Sequence, residues 1–202
     1  CPLPEVTFGT SPPTGRVGTR ELADLIDAHL TAKFPALKPA DKKASAWVNS
    51  VNFPWVKLNG ELIKQSHQTP AAVADEAARA LRADPEKRVL RTFTAAELAG
   101  SFPETDTTAL RMKRSFLAPR CGELAIVLHP HWLPAPKGGA GTTHGTPFNY
   151  DTHVPLVVYG PGVSGGVRTE PTTPQAMASV FAKWLNVRRP KDAAFPLPAA
   201  LK

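Results

Sequence analysis

The sequence predicts an α/β fold in which helices flank a central sheet. Two segments show helical spacing of apolar residues behind a capping residue, one near Thr19 and one near Thr69. Residues 123–128 and 154–159 are short runs of mainly aliphatic and β-branched residues, which is typical of buried strands. Strand and helix signals alternate and no internal repeat is present, so a layered α/β architecture is favoured over a bundle or a sandwich.

The first predicted element is a helix that follows an extended loop. Residues 1–17 are rich in proline, glycine and serine, which indicates a loop. Thr19 is a suitable N-cap, and Pro35 ends the helical pattern. His29 lies on the apolar stripe and is expected at the edge of the core, because no second ligand type stands beside it at helical spacing. The stripe consists of Leu22, Leu25, Ile26, His29 and Leu30.

A β-hairpin is predicted at residues 55–64, after a connection over residues 35–53. Its turn would be Asn59-Gly60, a dipeptide that tolerates the positive φ angles of a type I′ turn. Trp47 is expected to anchor the connection.

A second helix is predicted after this hairpin. Thr69 is its expected cap and Pro70 suits its first turn, whereas His67 just before the cap is expected to be exposed. The buried stripe would be Val73, Ala77, Ala80 and Leu81.

The middle of the chain predicts a strand, two short helices and a core strand. Residues 89–94 have strand composition, and residues 94–98 form a capped helix that stops at Gly100. The basic segment 110–116 can form one or two helical turns. Residues 123–128 are nearly all apolar and end at Pro130, as a core strand would.

The chemistry of the chain is concentrated between residues 141 and 160. Glycines on both sides of His144 free the backbone to bend, so the imidazole can be presented from a loop. Residues 154–159 then predict a buried strand, and a last helix follows, capped by Thr173. The stripe expected to pack this helix on the sheet is Met177, Val180, Phe181, Trp184 and Leu185.

A cluster of potential metal ligands lies in the same region. His129 and His131 would point to one side of an extended strand. The spacing of the cluster matches no diagnostic metal motif, so from the residues alone a metal site and a purely structural role remain open. The potential ligands are His129, His131, His144, Asp151 and His153.

The loop and the segment after it resemble a known family pattern. The residues that carry the resemblance are Gly-Thr-Thr-His-Gly at 141–145, Tyr150-Asp151, His153-Val154-Pro155 and Tyr159-Gly160-Pro161-Gly162. They resemble the C-terminal motif of the alkaline phosphatase superfamily, in the branch of the phosphate-irrepressible alkaline phosphatases and the type I phosphodiesterase/nucleotide pyrophosphatases. The run at residues 1–5 is similar to the segment that follows the family's Asp-His-Gly metal motif, which is absent here.

The resemblance implies an alkaline-phosphatase-like central sheet with flanking helices, present only as its C-terminal part. Residues 1–202 would form a single partial α/β domain, with residues 35–118 as a peripheral hairpin and helices and residues 119–202 as the core portion with the metal site. It also implies phosphate ester hydrolysis at two zinc ions through a covalent phospho-enzyme. Export to the periplasm or outside the cell is implied by family habit.

The same resemblance assigns roles to individual residues. His144 matches the family's zinc ligand, and Asp151, His153 and Tyr150 are expected to support the loop behind it. His129 and His131 match no family ligand. The nucleophile and the other ligands would lie upstream of Cys1, so no catalytic residue is expected in this chain, which would be inactive alone and depend on the missing upstream part.

Composition bears on other classes of function. The formal charge of +7 suggests nucleic acid, but the basic residues are scattered, so a basic surface that attracts anionic substrates is the better account. No apolar run is long enough to span a membrane. Cys1 could carry a lipid or pair with Cys121 in an exported chain, or both thiols could be free.

Three functions are therefore compared. The first is a zinc-dependent phosphatase, or a phosphodiesterase or nucleotide pyrophosphatase of the same superfamily, active only within a longer chain. The second is a non-catalytic module that keeps this half of the fold, and the third is a basic nucleic-acid-binding domain. The long, position-specific motif favours the enzyme.

Overall fold

The computed structural model describes residues 14–35, 47–118, 120–161, 163–193 and 195. The chain divides into two compact units, Cys1–His153 and Val154–Lys202. The expectation of a single partial domain over residues 1–202 stays a prediction.

The described part of the first unit contains strands and helices in mixed order, so the α/β class is confirmed. Its strands are β1 (Gly15–Arg16), β2 (Val48–Asn52), β3 (Trp55–Leu58), β4 (Val89–Thr94), β5 (Leu124–Leu128) and β6 (Trp132–Leu133). Its helices are α1 (Thr19–Lys33), α2 (Gly60–Gln65), α3 (Pro70–Arg82), α4 (Ala95–Ala99), α5 (Thr107–Ser115) and α6 (Asn149–Thr152). In the second unit a 3-10 turn, Pro174–Ala176, leads into α7 (Met177–Trp184).

A four-stranded antiparallel sheet with the order β2-β3-β5-β4 forms the centre of the first unit. All five residues of β5 are buried. Leu124, Ile126 and Leu128 point into one apolar cluster, whereas Ala125 and Val127 point into another. Since side chains alternate along a strand, β5 is covered on both faces, as its apolar composition predicted.

Helices α1 and α3 cover the first face of the sheet. Their buried residues include Ile26 and Leu30 from α1 and Val73 and Leu81 from α3. Trp47 is 1% exposed in the same cluster, which confirms it as an anchor. Helix α1 begins one residue earlier than predicted, because Gly18 is its N-cap and the Glu21 carboxylate accepts the Gly18 N–H at 3.1 Å.

Helices α4 and α5 cover the second face. Phe93, Leu98 and Met112 are buried there with Ala125 and Val127 of β5. The register of β4 shifts between Val89 and Arg91, which explains why Val89 packs on the first face although Phe93, four residues later, packs on the second.

The predicted hairpin at residues 55–64 is wrong. Trp55–Leu58 is strand β3, but Asn59 has φ −81° and caps α2, because its side chain accepts the N–H groups of Glu61 and Leu62 at 3.1 and 3.3 Å. The hairpin of this region is instead β2-β3, since Val48–Asn52 is a strand within the predicted connection. Asparagine favours helix caps as well as turns, and the sequence signal did not separate the two.

The predicted buried strand at residues 154–159 is also wrong for this chain. None of these residues is in a strand, and Val157 and Tyr159 are 82% and 97% exposed. Strand composition expresses a fit to a sheet surface, and no described strand pairs with this run.

The stripe predicted for the last helix is only partly buried. Val180 is 1% exposed, whereas Phe181, Trp184 and Leu185 are 52%, 45% and 69% exposed. The helix itself is present where predicted, behind Thr173 and Pro174.

Several other predictions are confirmed. The Thr69 hydroxyl accepts the Ala72 N–H at 3.1 Å and caps α3, and Thr94 caps α4 with Gly100 at its end. His29 lies at the core edge, where its Nε2 is 3.0 Å from the Glu76 carboxylate. His67 is exposed.

Two further expectations concern the cysteines and the membrane. Cys121 is a buried free thiol, and Cys1 lies outside the described residues. In the part of the chain that the structure describes, no helix is long and apolar enough to cross a membrane.

A buried ion pair joins the end of α3 to the start of β4. The Arg88 guanidinium donates to both carboxylate oxygens of Asp84 at 2.9 Å, and it donates to Glu21 of α1 at 2.9 Å. The side chains of Arg88 and Asp84 are 4% and 1% exposed. Burial raises the pKa of Asp84, but the hydrogen bonds and charge of Arg88 outweigh burial and hold that pKa below its ordinary value.

Replacing Arg88 by Met should destabilise the first unit by about 3–5 kcal/mol, because the Asp84 carboxylate would stay buried without its partner. Urea unfolding at neutral pH measures this loss. Exposed Lys64, paired with Glu61 on α2, is the control, and Lys64→Ala should change stability by less than about 1 kcal/mol. Equal effects of the two substitutions would contradict the role assigned to Arg88.

The same ion pair predicts a pH dependence of the wild type. The stability contributed by Asp84 should be present above the ordinary aspartate pKa and be lost as pH falls through the lowered pKa.

Replacing Gly60 by Ala should leave stability unchanged or raise it by up to about 1 kcal/mol, because Gly60 opens a helix and an added Cβ would meet nothing within 4 Å. A type I′ turn would need positive φ here, and the same substitution would then be clearly destabilising. Thermal unfolding distinguishes the two. As a companion, Asn59→Ser should keep the cap, whereas Asn59→Ala should cost about 1 kcal/mol.

Candidate metal-binding loop

The loop that carries His144 starts where β5 leaves the sheet. After Leu128 the chain turns, with the His129 carbonyl accepting the Trp132 N–H at 3.2 Å, and His131 adopts a left-handed φ of 68°. His129 and His131 therefore do not lie on one extended strand, contrary to the expectation. Strand β6 then pairs in parallel with β1, which ties the start of the loop to the first described strand.

Two arginines from distant parts of the chain hold the loop backbone. Arg16 of β1 donates to the Gly141 carbonyl at 2.9 Å, and it is 7% exposed. Arg111 of α5 donates to the Pro147 carbonyl and to the Asn149 side chain at 3.3 and 3.4 Å. The loop is thus fixed on both sides of His144.

Asp151 closes the loop on itself. Its Oδ2 accepts the Thr146 N–H at 2.9 Å and the Thr146 hydroxyl at 2.7 Å, so α6 is tied to the residue two positions after His144. Burial raises the pKa of Asp151, the two Thr146 hydrogen bonds lower it, and that pKa lies below its ordinary value. The carboxylate is therefore charged at neutral pH.

Tyr150 packs at the base of the loop. Its ring stacks on His131 with 5.4 Å between centroids, and its hydroxyl accepts the His131 N–H at 3.3 Å. It also contacts Phe148, at 5.5 Å, which in turn packs on the second apolar cluster with Phe93. The aromatic base joins the loop to the core.

His144 itself is exposed and makes no hydrogen bond to another described residue. Gly141 and Gly145, on either side, have φ angles of 80° and 109°, which only glycine adopts readily. A well-anchored loop thus presents a single unengaged imidazole.

The other predicted residues are not brought to His144 as a ligand set. His153 ends α6, where its N–H bonds the Asn149 carbonyl at 2.8 Å, and its ring makes no hydrogen bond to a described residue. Nowhere in the described ranges do three or more His, Cys, Asp or Glu side chains form a group that could hold a metal ion. Because zinc sites use three or four protein ligands, the residues described do not complete one around His144.

Sequence reasoning missed the residues that anchor the loop. Arg16 and Arg111 lie 125 and 36 positions from the backbone carbonyls they bind, and Thr146 has no distinguishing context. Arg111 belongs to the basic segment 110–116, whose charge is predicted from the sequence to be part of a solvated surface. Among the residues that anchor the loop, the sequence predicts a role only for Asp151 and Tyr150.

Three curated proteins are similar to parts of the chain. Over 71 residues it is 38% identical to a calcium-transporting ATPase of Myroides odoratus. Over 104 residues it is 36% identical to alkaline phosphatase PhoD of Zymomonas mobilis subsp. mobilis, and over 101 residues it is 33% identical to alkaline phosphatase PhoK of Sphingomonas sp. These matches cover 35%, 48% and 46% of this chain but only 13%, 18% and 18% of the relatives. No protein-family model matches.

Solved structures share the fold over nearly the whole chain. Wild-type alkaline phosphatase PafA superposes with a TM-score of 0.72 at 22% identity, covering 91% of this chain and 33% of that one. A mutant of PafA gives a TM-score of 0.69 at 24% identity, covering 91% and 32%. The chain therefore has the α/β fold of part of an alkaline phosphatase.

Two of the three sequence matches, PhoD and PhoK, point to the same group. In sequence as in fold, the chain resembles the alkaline phosphatase superfamily, and it spans about a third of its structural neighbours and less than a fifth of its curated relatives.

Replacing Asp151 by Asn should loosen the loop, because the amide cannot accept both Thr146 hydrogen bonds with the strength of a carboxylate. Amide hydrogen exchange should accelerate about 10-fold at Thr146, the direct donor, while β5 is unaffected. Lowering the pH through the depressed pKa of Asp151 should have the same local effect in the wild type. Asp75, exposed on α3, is the control. Unchanged exchange at Thr146 would remove the proposed anchor.

Proposed function

We propose that this chain is the C-terminal part of a zinc-dependent phosphate ester hydrolase of the alkaline phosphatase type. The observation that carries the proposal is the exposed, unengaged imidazole of His144 within a motif that resembles the family's zinc-ligand loop. The alkaline phosphatase fold around this loop supports it. A phosphodiesterase or nucleotide pyrophosphatase of the same superfamily is the alternative, since the groups that would contact the second ester substituent belong to the upstream part.

Each loop residue has a proposed part in this function. His144 supplies one neutral imidazole ligand, while Asp151 and Tyr150 hold the loop that positions it. His153, exposed beside Asp151, supports the same region.

The chain is proposed to be inactive alone. The two-zinc site implied by the resemblance needs several ligands and a Thr or Ser nucleophile, and the described residues do not assemble such a set. These groups are assigned to polypeptide upstream of Cys1. The basic surface, with a formal charge of +7, favours approach of an anionic phosphate ester. Export to the periplasm or the outside is part of the proposal.

Zinc content and phosphate ester hydrolysis should be measured for the chain as given and for the same chain extended upstream by its own coding sequence. The extended form should bind about two zinc ions and hydrolyse a phosphate monoester, whereas the chain alone should do neither. In the extended form, His144→Ala should reduce turnover by more than the roughly 10–100-fold that follows loss of a residue behind a ligand.

Exposed His67 provides the control, and His67→Ala should change neither zinc content nor turnover. Full zinc content and full activity of the extended His144→Ala variant would remove His144 from the site. An extended form that is metal-free and inert would instead favour a non-catalytic module that keeps this half of the fold.

A further inference from the structure

Residues 154–159 form a bare apolar run immediately after the first unit. None of their backbone groups forms a hydrogen bond with another described residue. Val154 and Val157 are 55% and 82% exposed, and Tyr159 is 97% exposed. The run contains no charged residue. Six residues with the composition of an interior strand thus have neither a ladder partner nor a covering layer among the described residues.

The two faces of the run are both apolar. If it is extended, Leu156 and Val158 lie on one face and Val157 and Tyr159 on the other. A strand at the surface of an antiparallel sheet would alternate between apolar and polar residues, so this pattern is typical of a strand covered on both sides. Pro155 stands near the start of the run, where a missing N–H is tolerated.

A second apolar surface belongs to the same unit. On α7, Phe181 and Trp184 are 52% and 45% exposed, and Leu185 just beyond the helix is 69% exposed, although Val180 and Ala182 are buried. Exposed aromatic and aliphatic residues that cluster on one helix commonly mark a surface that another polypeptide covers. The second unit therefore has two surfaces of the kind that folded proteins bury.

The structural comparison indicates what could cover them. PafA shares the fold over 91% of this chain, yet the chain corresponds to only 33% of PafA, so most of that folded protein has no counterpart here. A second copy of this chain would bring the same bare run and no additional sheet. The polypeptide that supplies the rest of the fold would bring strands.

We propose that residues 154–159 become an interior strand by pairing with polypeptide upstream of Cys1 in the same protein, and that the exposed face of α7 is covered by that polypeptide. The inference rests on the proposed function, because it requires the longer chain. Strand addition supplies backbone hydrogen bonds to the run except at the Pro155 nitrogen, and it fixes the segment ten to fifteen residues after His144 to the upstream part. The start of the histidine loop is tied to β1 of this chain, and the segment after the loop would thereby be joined to the upstream part.

Hydrogen exchange of the wild-type protein tests the pairing without any substitution. In the chain as given, the amides of Leu156, Val157, Val158 and Tyr159 should exchange at nearly unprotected rates. In the form extended by its own upstream coding sequence, they should slow by at least about 100-fold. Exchange that stays fast in a folded extended form would overturn the proposal.

Two matched substitutions separate strand pairing from general effects on the unit. Val157→Pro removes an N–H and should lower the melting temperature of the extended form, while the chain as given should melt as before, because Val157 is already bare there. Val167, 87% exposed in the same unit, is the control, and Val167→Pro should change neither form. If Val157→Pro prevents the extended form from folding, Val157→Thr is measured in its place. Because threonine keeps β-branching and the N–H, this variant should show the same protection at residues 156–159 as the wild-type extended form. Equal tolerance of Val157→Pro and Val167→Pro in the extended form would overturn the pairing.

Other occupants give different results. Protection that rises with the concentration of the chain as given would indicate a second copy, and protection induced only by anionic phospholipid vesicles would indicate a membrane surface; either result would overturn the proposal. The readout needs neither zinc nor turnover. An extended form that is inert but protected at residues 156–159 would refute the proposed function and keep this inference, whereas an active form without protection would do the reverse.

Discussion

The burial of β5 on both of its faces is the constraint on which the first unit depends. Leu124 and Ile126 require α1 and α3 on one side of the sheet, and Ala125 and Val127 require α4 and α5 on the other. Just before the strand, Gly122 lies so close to β3 that an added Cβ would be 1.8 Å from the Val56 carbonyl oxygen. The entry to β5 is therefore as tightly packed as the strand, and the chain leaves β5 from a rigid base toward the histidine loop.

The histidine loop is held in a way that leaves its central residue unengaged. Arg16, Arg111 and Asp151 bind the loop backbone or the Thr146 hydroxyl, and Tyr150 packs against its base. His144 takes part in none of these contacts. The hydrogen bonds hold the loop backbone and so limit the positions that the imidazole can reach, whereas the ring itself has no partner among the described residues.

What could be predicted from the sequence depended on how local the cause was. The helices at Thr69 and Thr94 were predictable because the cap, the first turn and the apolar stripe lie within a few residues of one another. Asn59 was misassigned because its side chain serves a turn or a helix cap equally well, and the choice depends on where the following residues can be buried. The arginines that hold the loop could not be found, since their partners are backbone carbonyls far away in the sequence, and a carbonyl carries no residue signature. For the candidate site, the resemblance identified the loop, whereas its supports came only from the three-dimensional arrangement.

Pro155 has a further consequence for the lifetime of the unpartnered chain. An uncharged, exposed run of aliphatic and aromatic residues is the kind of segment that stacks with identical copies into fibrils, where every N–H in register is paired. A proline within the run interrupts that row of donors, which hinders such stacking more than it hinders a single strand that starts nearby. Pro155 is therefore expected to hinder aggregation of the chain for as long as this run stays uncovered.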